Sequence, residues 1–311
     1  MPSALIKLLR FASTAILLGI FGFFVLRYRG ELHAVRKISF MQFATVFFLV
    51  FSAVTVNGSK LNHLTRFFGL SLDKREWFGL SCITTTLNNL FFKAGSLATS
   101  NYLKRKHAFP YMSFLGSLGA DQLILFFMSA LTGGMISFYL MLTATASLNL
   151  AALTYLGLTL VLFFSVRLVP QMRSRSHPLL DALVRAVNAL NRILKDRPLF
   201  VSLCVHNALL IALTALRFFA VCKILRLDVP LQYCLLFTTV MIFVSAVPLF
   251  QSDIGSREIA VGFLSQLAGM GFNEGLLATF VDRVFVFSLT LLATLCFRNL
   301  LVPPLPQAQK S

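Results

Sequence analysis

Two stretches of the chain, Ile38 to Ser59 and Pro230 to Ser252, contain no charged residue, and a third, Pro110 to Val166, contains only Asp121. A helix needs ~20 apolar residues to cross the hydrocarbon core of a bilayer, where lipid offers no partner to an exposed backbone N–H or C=O. The first two runs are long enough for one crossing each. At ~1.5 Å per residue the third is long enough for two. Phe11 to Leu26, Leu199 to Cys222 and Leu276 to Cys296 supply three further spans. Trp77 to Phe92 is shorter, with Asn88 and Asn89 near its end and Lys93 just beyond, and reads as a short or broken helix.

Composition excludes the other classes. Hydrophobic residues make up 57% of the 311 and charged residues 13%, against ~25% charged in soluble domains. Polar side chains are therefore too few to cover a water-soluble surface, and disorder requires the opposite composition. The 28 Lys and Arg against 11 Asp and Glu leave a net charge of +17. Nucleic acid is not the expected partner, because the basic residues lie mostly between apolar runs. The expected fold is all-α: a polytopic helical membrane protein of about eight membrane segments, forming a single domain over 1–311. Its first half runs to about 166, a basic connector covers 167–198, the second half covers 199–300, and a short tail follows over 301–311. Arg27-Tyr28-Arg29 follows the first apolar segment with no small-residue cleavage site, so that segment reads as a retained anchor rather than a signal peptide.

Basic loops set orientation. The connector carries Arg167, Arg173, Arg175, Arg185, Arg192, Lys195 and Arg197 against Asp181 and Asp196. Lys104-Arg105-Lys106 forms a second cluster, and Lys60, Arg66, Lys74 and Arg75 a third. These share one side only if the Trp77–Phe92 helix turns back without crossing. On that reading the clusters and both termini are cytoplasmic, in a plasma or inner membrane, and Arg27 to Lys37 is the dissenting loop. Inside the connector Leu180, Leu183, Val184, Val187, Leu190 and Leu194 recur at helical spacing, the pattern of an amphipathic helix. Such a helix fits an anionic leaflet and the protein's own cytoplasmic face equally well. Cys82, Cys204, Cys222, Cys234 and Cys296 are scattered through apolar runs with no Cys-x-x-Cys. They read as packing residues, and no metal or other cofactor is expected.

The two halves share an interruption. Leu90 to Ser96 breaks one apolar segment around Gly95, and Leu249 to Ser256 breaks another around Gly255. A mixed helical stretch follows each, then a span with an acid near its start. Asp121 follows Gly95 by 26 positions and Asp282 follows Gly255 by 27, which puts Asp121-Gln122 and Asp282-Arg283 at corresponding places one residue out of register. Broken segments at matching positions point to a transporter binding site, because backbone freed in mid-membrane must face protein or a wet cavity. A helix that restarts there also offers N–H groups to an anion, and Ser256 is placed to act as an N-cap. The alternative is a pair of ordinary turns between full spans.

Eight charges lie within or beside apolar runs: Lys93, Asp121, Arg217, Asp253, Arg257, Glu258, Asp282 and Arg283. A charge at the bilayer centre costs ~2.5–3.5 kcal/mol on insertion scales, so such groups face a partner or a cavity. Arg217 fits that description, and equally a side chain snorkelling to the boundary near Lys223 and Arg226. Arg257 with Glu258, and Asp282 with Arg283, either belong to a site or neutralise each other.

Asp253-Ile254-Gly255-Ser256-Arg257-Glu258-Ile259-Ala260, followed by Gly271-Phe272 and Asp282-Arg283, resembles the transmembrane region of the lysylphosphatidylglycerol synthase family, also called flippase-like membrane proteins. The family pattern is Pro-Gly-Gly-Ile-Gly-x-x-Glu, then a Gly, then a last span containing Arg. Ile254, Gly255, Glu258 and Arg283 match it, and Pro248 supplies a proline three residues early. In the first half Asn89, Gly95 and Leu103-Lys104-Arg105 fit the family's break and helix end. Gln251-Ser252-Asp253 departs from Pro-Gly-Gly, Phe92-Lys93-Ala94 lacks the usual Pro, and Ser96 and Thr99 stand where Glu and Arg are expected. The second half is thus the better match. The resemblance implies an eight-segment helical fold with two re-entrant elements, associated with moving or accommodating lipids. Synthase members add a soluble catalytic domain after the membrane region. Here Ser311 lies eleven residues beyond Leu300, so aminoacyl transfer is not expected.

The function expected first is a flippase for an anionic phospholipid or a polyprenyl-linked sugar. Arg217, Arg257 and Arg283 would attract the headgroup, and the restart at Gly255 and Ser256 would add N–H donors. Asp253, Glu258 and Asp282 would orient the arginines or take a coupling proton, with Lys93, Gly95 and Asp121 as first-half counterparts. The alternative is an accessory subunit of a cell-envelope glycosyltransferase or lipid-modification system. A membrane enzyme using the same carboxylates as acid and base is the third reading, set back because no Ser/His/Asp, metal or nucleotide motif accompanies them.

Overall fold

The computed structural model describes residues 38–91, 93–143, 149–168, 178–245 and 255–300. The expected Phe11–Leu26 span, the Arg27–Lys37 loop and the 301–311 tail lie outside the described residues. Among the described residues every regular element is a helix: α1 (Phe40–Phe67), α2 (Lys74–Leu90), α3 (Ala94–His107), α4 (Tyr111–Thr143), α5 (Asn149–Leu168), α6 (Pro178–Lys195), α7 (Arg197–Ile224), α8 (Leu231–Val244), α9 (Ser256–Leu267) and α10 (Phe272–Cys296), then a single 3-10 turn at Arg298–Leu300. Four of these, α1, α4, α7 and α10, are long and apolar enough to cross a membrane.

Local chemistry explains several boundaries. Ser39 caps α1 by accepting from the Gln42 N–H, while the Gln42 side chain accepts from the Ser39 N–H. Asp196 accepts from Leu199 N and Pro198 sits in the first turn, which together start α7. The run Pro110–Val166 does yield two helices, α4 and α5. Of the uncharged run Pro230–Ser252, α8 takes up 14 residues, and 246–252 lie outside the described residues.

The first four helices and the last four follow one plan. Helices α1 and α7 are both 28 residues long and pack antiparallel. Val46 and Val50 meet Val221 and Ile224 at one end, and Lys60 meets Asn207 nearer the other. Helix α2 packs on α10, and its counterpart α8 packs on α4. The two halves are therefore inverted with respect to each other. Within the first half α2 and α3 form a hairpin: Thr84 and Thr99 hydroxyls meet at 2.6 Å midway, and Glu76 at the start of α2 receives Tyr102, Lys106 and His107 from the end of α3. Gly95 makes this approach possible, since a Cβ there would lie 2.1 Å from the Thr84 carbonyl oxygen. Burial pushes the Glu76 carboxyl up, but the three hydrogen bonds outweigh it and hold the group down at about 2, well below its ordinary 4.5. Glu76 sits in the first turn of α2, at the outer end of the hairpin and outside the spanning helices.

That outer end is where the basic residues collect. The end of α1, the start of α2, the end of α3, the starts of α4 and α7, and α6 all meet there around Leu64, Leu72, Phe109, Phe114, Ile193 and Leu199. Arg66, Lys74, Arg75, Lys104, Arg105, Lys106, Arg192, Lys195 and Arg197 are thus at one end of the bundle. Lys60, counted with this cluster from sequence, is not part of it. It is buried inside α1, which runs on two turns past Ser59. For α6 the structure selects between the two open readings. Gly116 of α4 lies so close that a Cβ would come within 2.5 Å of the Ala186 carbonyl, and Ala189, Ile193 and Leu194 are buried against α4 and α7. The helix therefore packs on the protein, with Leu183 left exposed.

Candidate functional site

An ion pair recurs in each half at the same helical address. Lys60 is the twenty-first residue of α1 and Arg217 the twenty-first of α7. Asp121 is the eleventh of α4 and Asp282 the eleventh of α10. The one-residue mismatch seen along the chain vanishes when positions are counted within helices. Arg217 donates to Asp282 through two bonds, Nε to Oδ1 at 2.6 Å and Nη2 to Oδ2 at 2.9 Å. Lys60 Nζ lies 2.9 Å from Asp121 Oδ2 and donates to Asn207 Oδ1 at 3.0 Å, while Asn207 Nδ2 donates to Asp121 Oδ1. Arg217 is thus a buried, doubly bonded cation and not a snorkelling one.

The arginines of the second half do not pair with their sequence neighbours. Adjacent helical residues point about 100° apart. Glu258 lies instead across the α9–α10 contact, with its Oε1 3.0 Å from Arg283 Nε. Its other oxygen accepts from Gly255 N at 2.8 Å. Gly255, at φ 93°, is the capping residue of α9, and Ser256 is the first helical residue rather than the cap. The Gly255 N–H offered to an anion in the sequence reading is therefore occupied from within. The first-half break behaves alike: Gly95 N donates to Asn88 Oδ1 at 2.9 Å. Glycine with an internal acceptor solves the same backbone problem twice.

Lys93 of the first break and Arg257, next to Ser256, line a central cavity of about 350 Å³. Among the described residues Lys93, Arg217, Arg257 and Arg283 line it together with the carboxylate of Asp282. Asn57, Asn88, Asn89 and Gln122 add amides, and Thr85, Thr214, Thr238 and Thr279 add hydroxyls. A second cavity of about 260 Å³ adjoins it through Asn57, Thr85, Asn88, Lys93, Gln122 and Leu125, and reaches Lys60 and Asp121. Glu258, set against Arg283, lies behind this lining.

Of the residues singled out from sequence, Lys93, Arg217, Arg257, Asp282 and Arg283 line the larger cavity, and Glu258 supports it from behind. Asp121 lines the smaller one, and Gly95 and Gly255 shape the two helix restarts. Asp253 lies outside the described residues, as do Gln251 and Ser252. Sequence reasoning missed Lys60, Asn57 and Asn207. The repeat was the available signal: carried one helix upstream, the address of Arg217 in α7 falls on Lys60 in α1.

The family description "Lysylphosphatidylglycerol synthase TM region" matches residues 10–293. No curated protein matches the chain, and no solved structure does. The match covers both inverted halves and both ion pairs, in a bundle with four membrane-length helices, so this integral membrane protein belongs to the lysylphosphatidylglycerol synthase transmembrane-region family.

Proposed function

We propose that the protein is a flippase, carrying the headgroup of an anionic lipid (a phospholipid or a polyprenyl-linked sugar phosphate) through its central cavity while the hydrocarbon tails stay in the bilayer. The observation that carries this reading is the polar cavity lining: among the described residues Lys93, Arg217, Arg257, Asp282 and Arg283 line it, with amides and hydroxyls between them. An isolated charge taken from water into an apolar medium costs tens of kcal/mol by simple solvation estimates. A cavity that substitutes guanidinium, ammonium and amide groups for water removes most of that cost.

The two hairpins are re-entrant in this reading. At ~1.5 Å per residue α2 and α3 are about 25 and 21 Å long, short of the ~30 Å core. The α2–α3 pair enters from the basic end and α8–α9 from the other, so their inner ends flank the cavity near mid-membrane. The excess of Lys and Arg makes the basic end cytoplasmic, in the plasma membrane. Helix α10 ends on that side, and an anchor preceding α1 would return the N-terminus to it. The lipid is moved and not chemically changed.

The test is reconstitution in vesicles with headgroup-labelled phosphatidylglycerol, reading loss of label signal to a membrane-impermeant quencher. Wild type should move the lipid well above empty vesicles, and Arg257→Ala should slow it about tenfold. Movement no faster than in empty vesicles would remove the proposal. Recovery of altered lipid after incubation would favour enzymology instead.

A further inference from the structure

The inverted repeat supplies a counterpart to the Arg217 site. We propose that Lys60, set by Asp121 and Asn207, forms a second binding station for a lipid phosphate, and that Lys93 passes the phosphate between the two stations. This rests on the transport reading and extends it from one site to a path.

Three observations carry it. First, neither ion pair exhausts its cation. Lys60 directs two of its three N–H groups to Asp121 and Asn207, and Arg217 directs two of five to Asp282. Each cation also lines a cavity, Lys60 the smaller and Arg217 the larger. A phosphate oxygen can therefore bind without displacing the carboxylate. Because the carboxylate offsets the charge, the anion is held weakly enough to leave, which conduction through successive sites requires.

Second, the stations are spaced for a handover. Lys60 bonds Asn207, and Arg217 lies ten residues further along α7, about 15 Å at 1.5 Å per residue. Third, Lys93 lines both cavities, at the inner end of the α2–α3 hairpin. Its Nζ reaches Gln122 Oε1 at 3.3 Å, and Gln122 also lines both. Lys93 holds φ 57°, a left-handed conformation that a side-chain-bearing residue adopts only where the surroundings enforce it. Here it starts α3 and holds the ammonium at the junction of the cavities. The stations are uneven: Arg217 has three N–H groups beyond those it gives Asp282, and Lys60 one beyond those it gives Asp121 and Asn207, so the Arg217 site should bind more tightly than the Lys60 station.

The test measures binding and movement side by side. Titrating detergent-solubilised wild type with short-chain phosphatidylglycerol should show two sites, at least fivefold apart in affinity. Inorganic phosphate at the same concentration should displace neither. Lys60→Gln with Asp121→Asn removes both charges together and should abolish the weaker site and slow vesicle movement about tenfold. Lys93→Gln should leave two sites resolvable, each weakened by less than the Lys60/Asp121 change weakens its own, and slow movement by a similar factor. A single site untouched by the Lys60/Asp121 change, or movement at wild-type rate in both variants, would overturn the second station while leaving transport standing. Two sites with no movement in wild type would retire the transport reading and keep the station. Displacement by inorganic phosphate would overturn the assignment to a lipid.

Discussion

Asp282→Asn is the most informative single substitution, because it leaves Arg217 charged, buried and without its bidentate partner. The two side chains are only 11% and 8% exposed. Removing one partner of such a pair costs ~3–5 kcal/mol, since the remaining charge loses its compensation. Arg217 also lines the cavity, where water reaches it, so the low end applies: about 3 kcal/mol. Asp121→Asn should cost less, about 1–2 kcal/mol, as Asp121 is 16% exposed and Lys60 keeps Asn207 as an acceptor. Replacing both partners by apolar residues, Arg217→Met with Asp282→Leu, should return stability to within ~1 kcal/mol of wild type. The coupling between the sites is then ~2 kcal/mol or more. Thermal unfolding in detergent, followed with a thiol-reactive dye that reports exposure of the buried Cys82, Cys222 and Cys234, reads these shifts. At roughly 2 °C per kcal/mol for a chain of this size, Asp282→Asn should lower the midpoint by about 6 °C. The apolar double variant should keep its midpoint and lose transport. An Asp282→Asn midpoint within 1 °C of wild type, or a double variant no better than the single, would refute the assignment of the pair.

Gly95→Ala should lower the midpoint by several degrees or abolish folding, because the Thr84 carbonyl 2.1 Å from the new Cβ is backbone and cannot yield. Gly157→Ala, with open space around it, should be neutral or raise the midpoint slightly through helix propensity. The depressed Glu76 carboxyl stabilises the fold above its ordinary 4.5, and that contribution disappears as pH falls toward about 2. The midpoint should therefore drop between pH 5 and pH 3, and Glu76→Gln should lower it at pH 7 while flattening the acid limb. Tyr155→Phe removes the 2.7 Å hydroxyl contact that ties α5 to Thr239 of α8, and should cost ~1 kcal/mol in the same unfolding assay.

The spans were legible because each carries its own signal: an uninterrupted apolar run satisfies its backbone within itself, so length and composition suffice. What was not legible depends on contacts the run does not contain. Pro230–Ser252 and Ile38–Ser59 are equally free of charge, yet α8 stops at Val244 while α1 runs on through Lys60 to Phe67. In α1 the charge is accepted because Asp121 and Asn207 wait for it on two other helices. The pairing of α2 with α3 was legible only indirectly, through the basic clusters at their ends; in the structure Glu76 draws the two helices together and places those clusters at one end of the bundle.

The site shows the same division more sharply. Single charges in apolar runs stand out because each is expensive alone, and so Arg217, Asp282, Glu258 and Arg283 were all found. Their pairing was not, because Arg217 and Asp282 are 65 positions apart and the tempting neighbours Arg257-Glu258 cannot face each other on one helix. Lys60 failed for the opposite reason: beside Arg66, Lys74 and Arg75 it looked like one more orienting charge. Counting within helices separates the two uses of a basic residue. Arg66 is in the last turn of α1, at the basic end of the bundle. Lys60 is at the address that Arg217 holds in α7, two turns deeper and opposite a buried acid. A basic residue that orients the chain can be moved a few positions along its loop without loss. One that faces an aspartate across the bundle cannot move even one, because a single step turns it about 100° away from its partner.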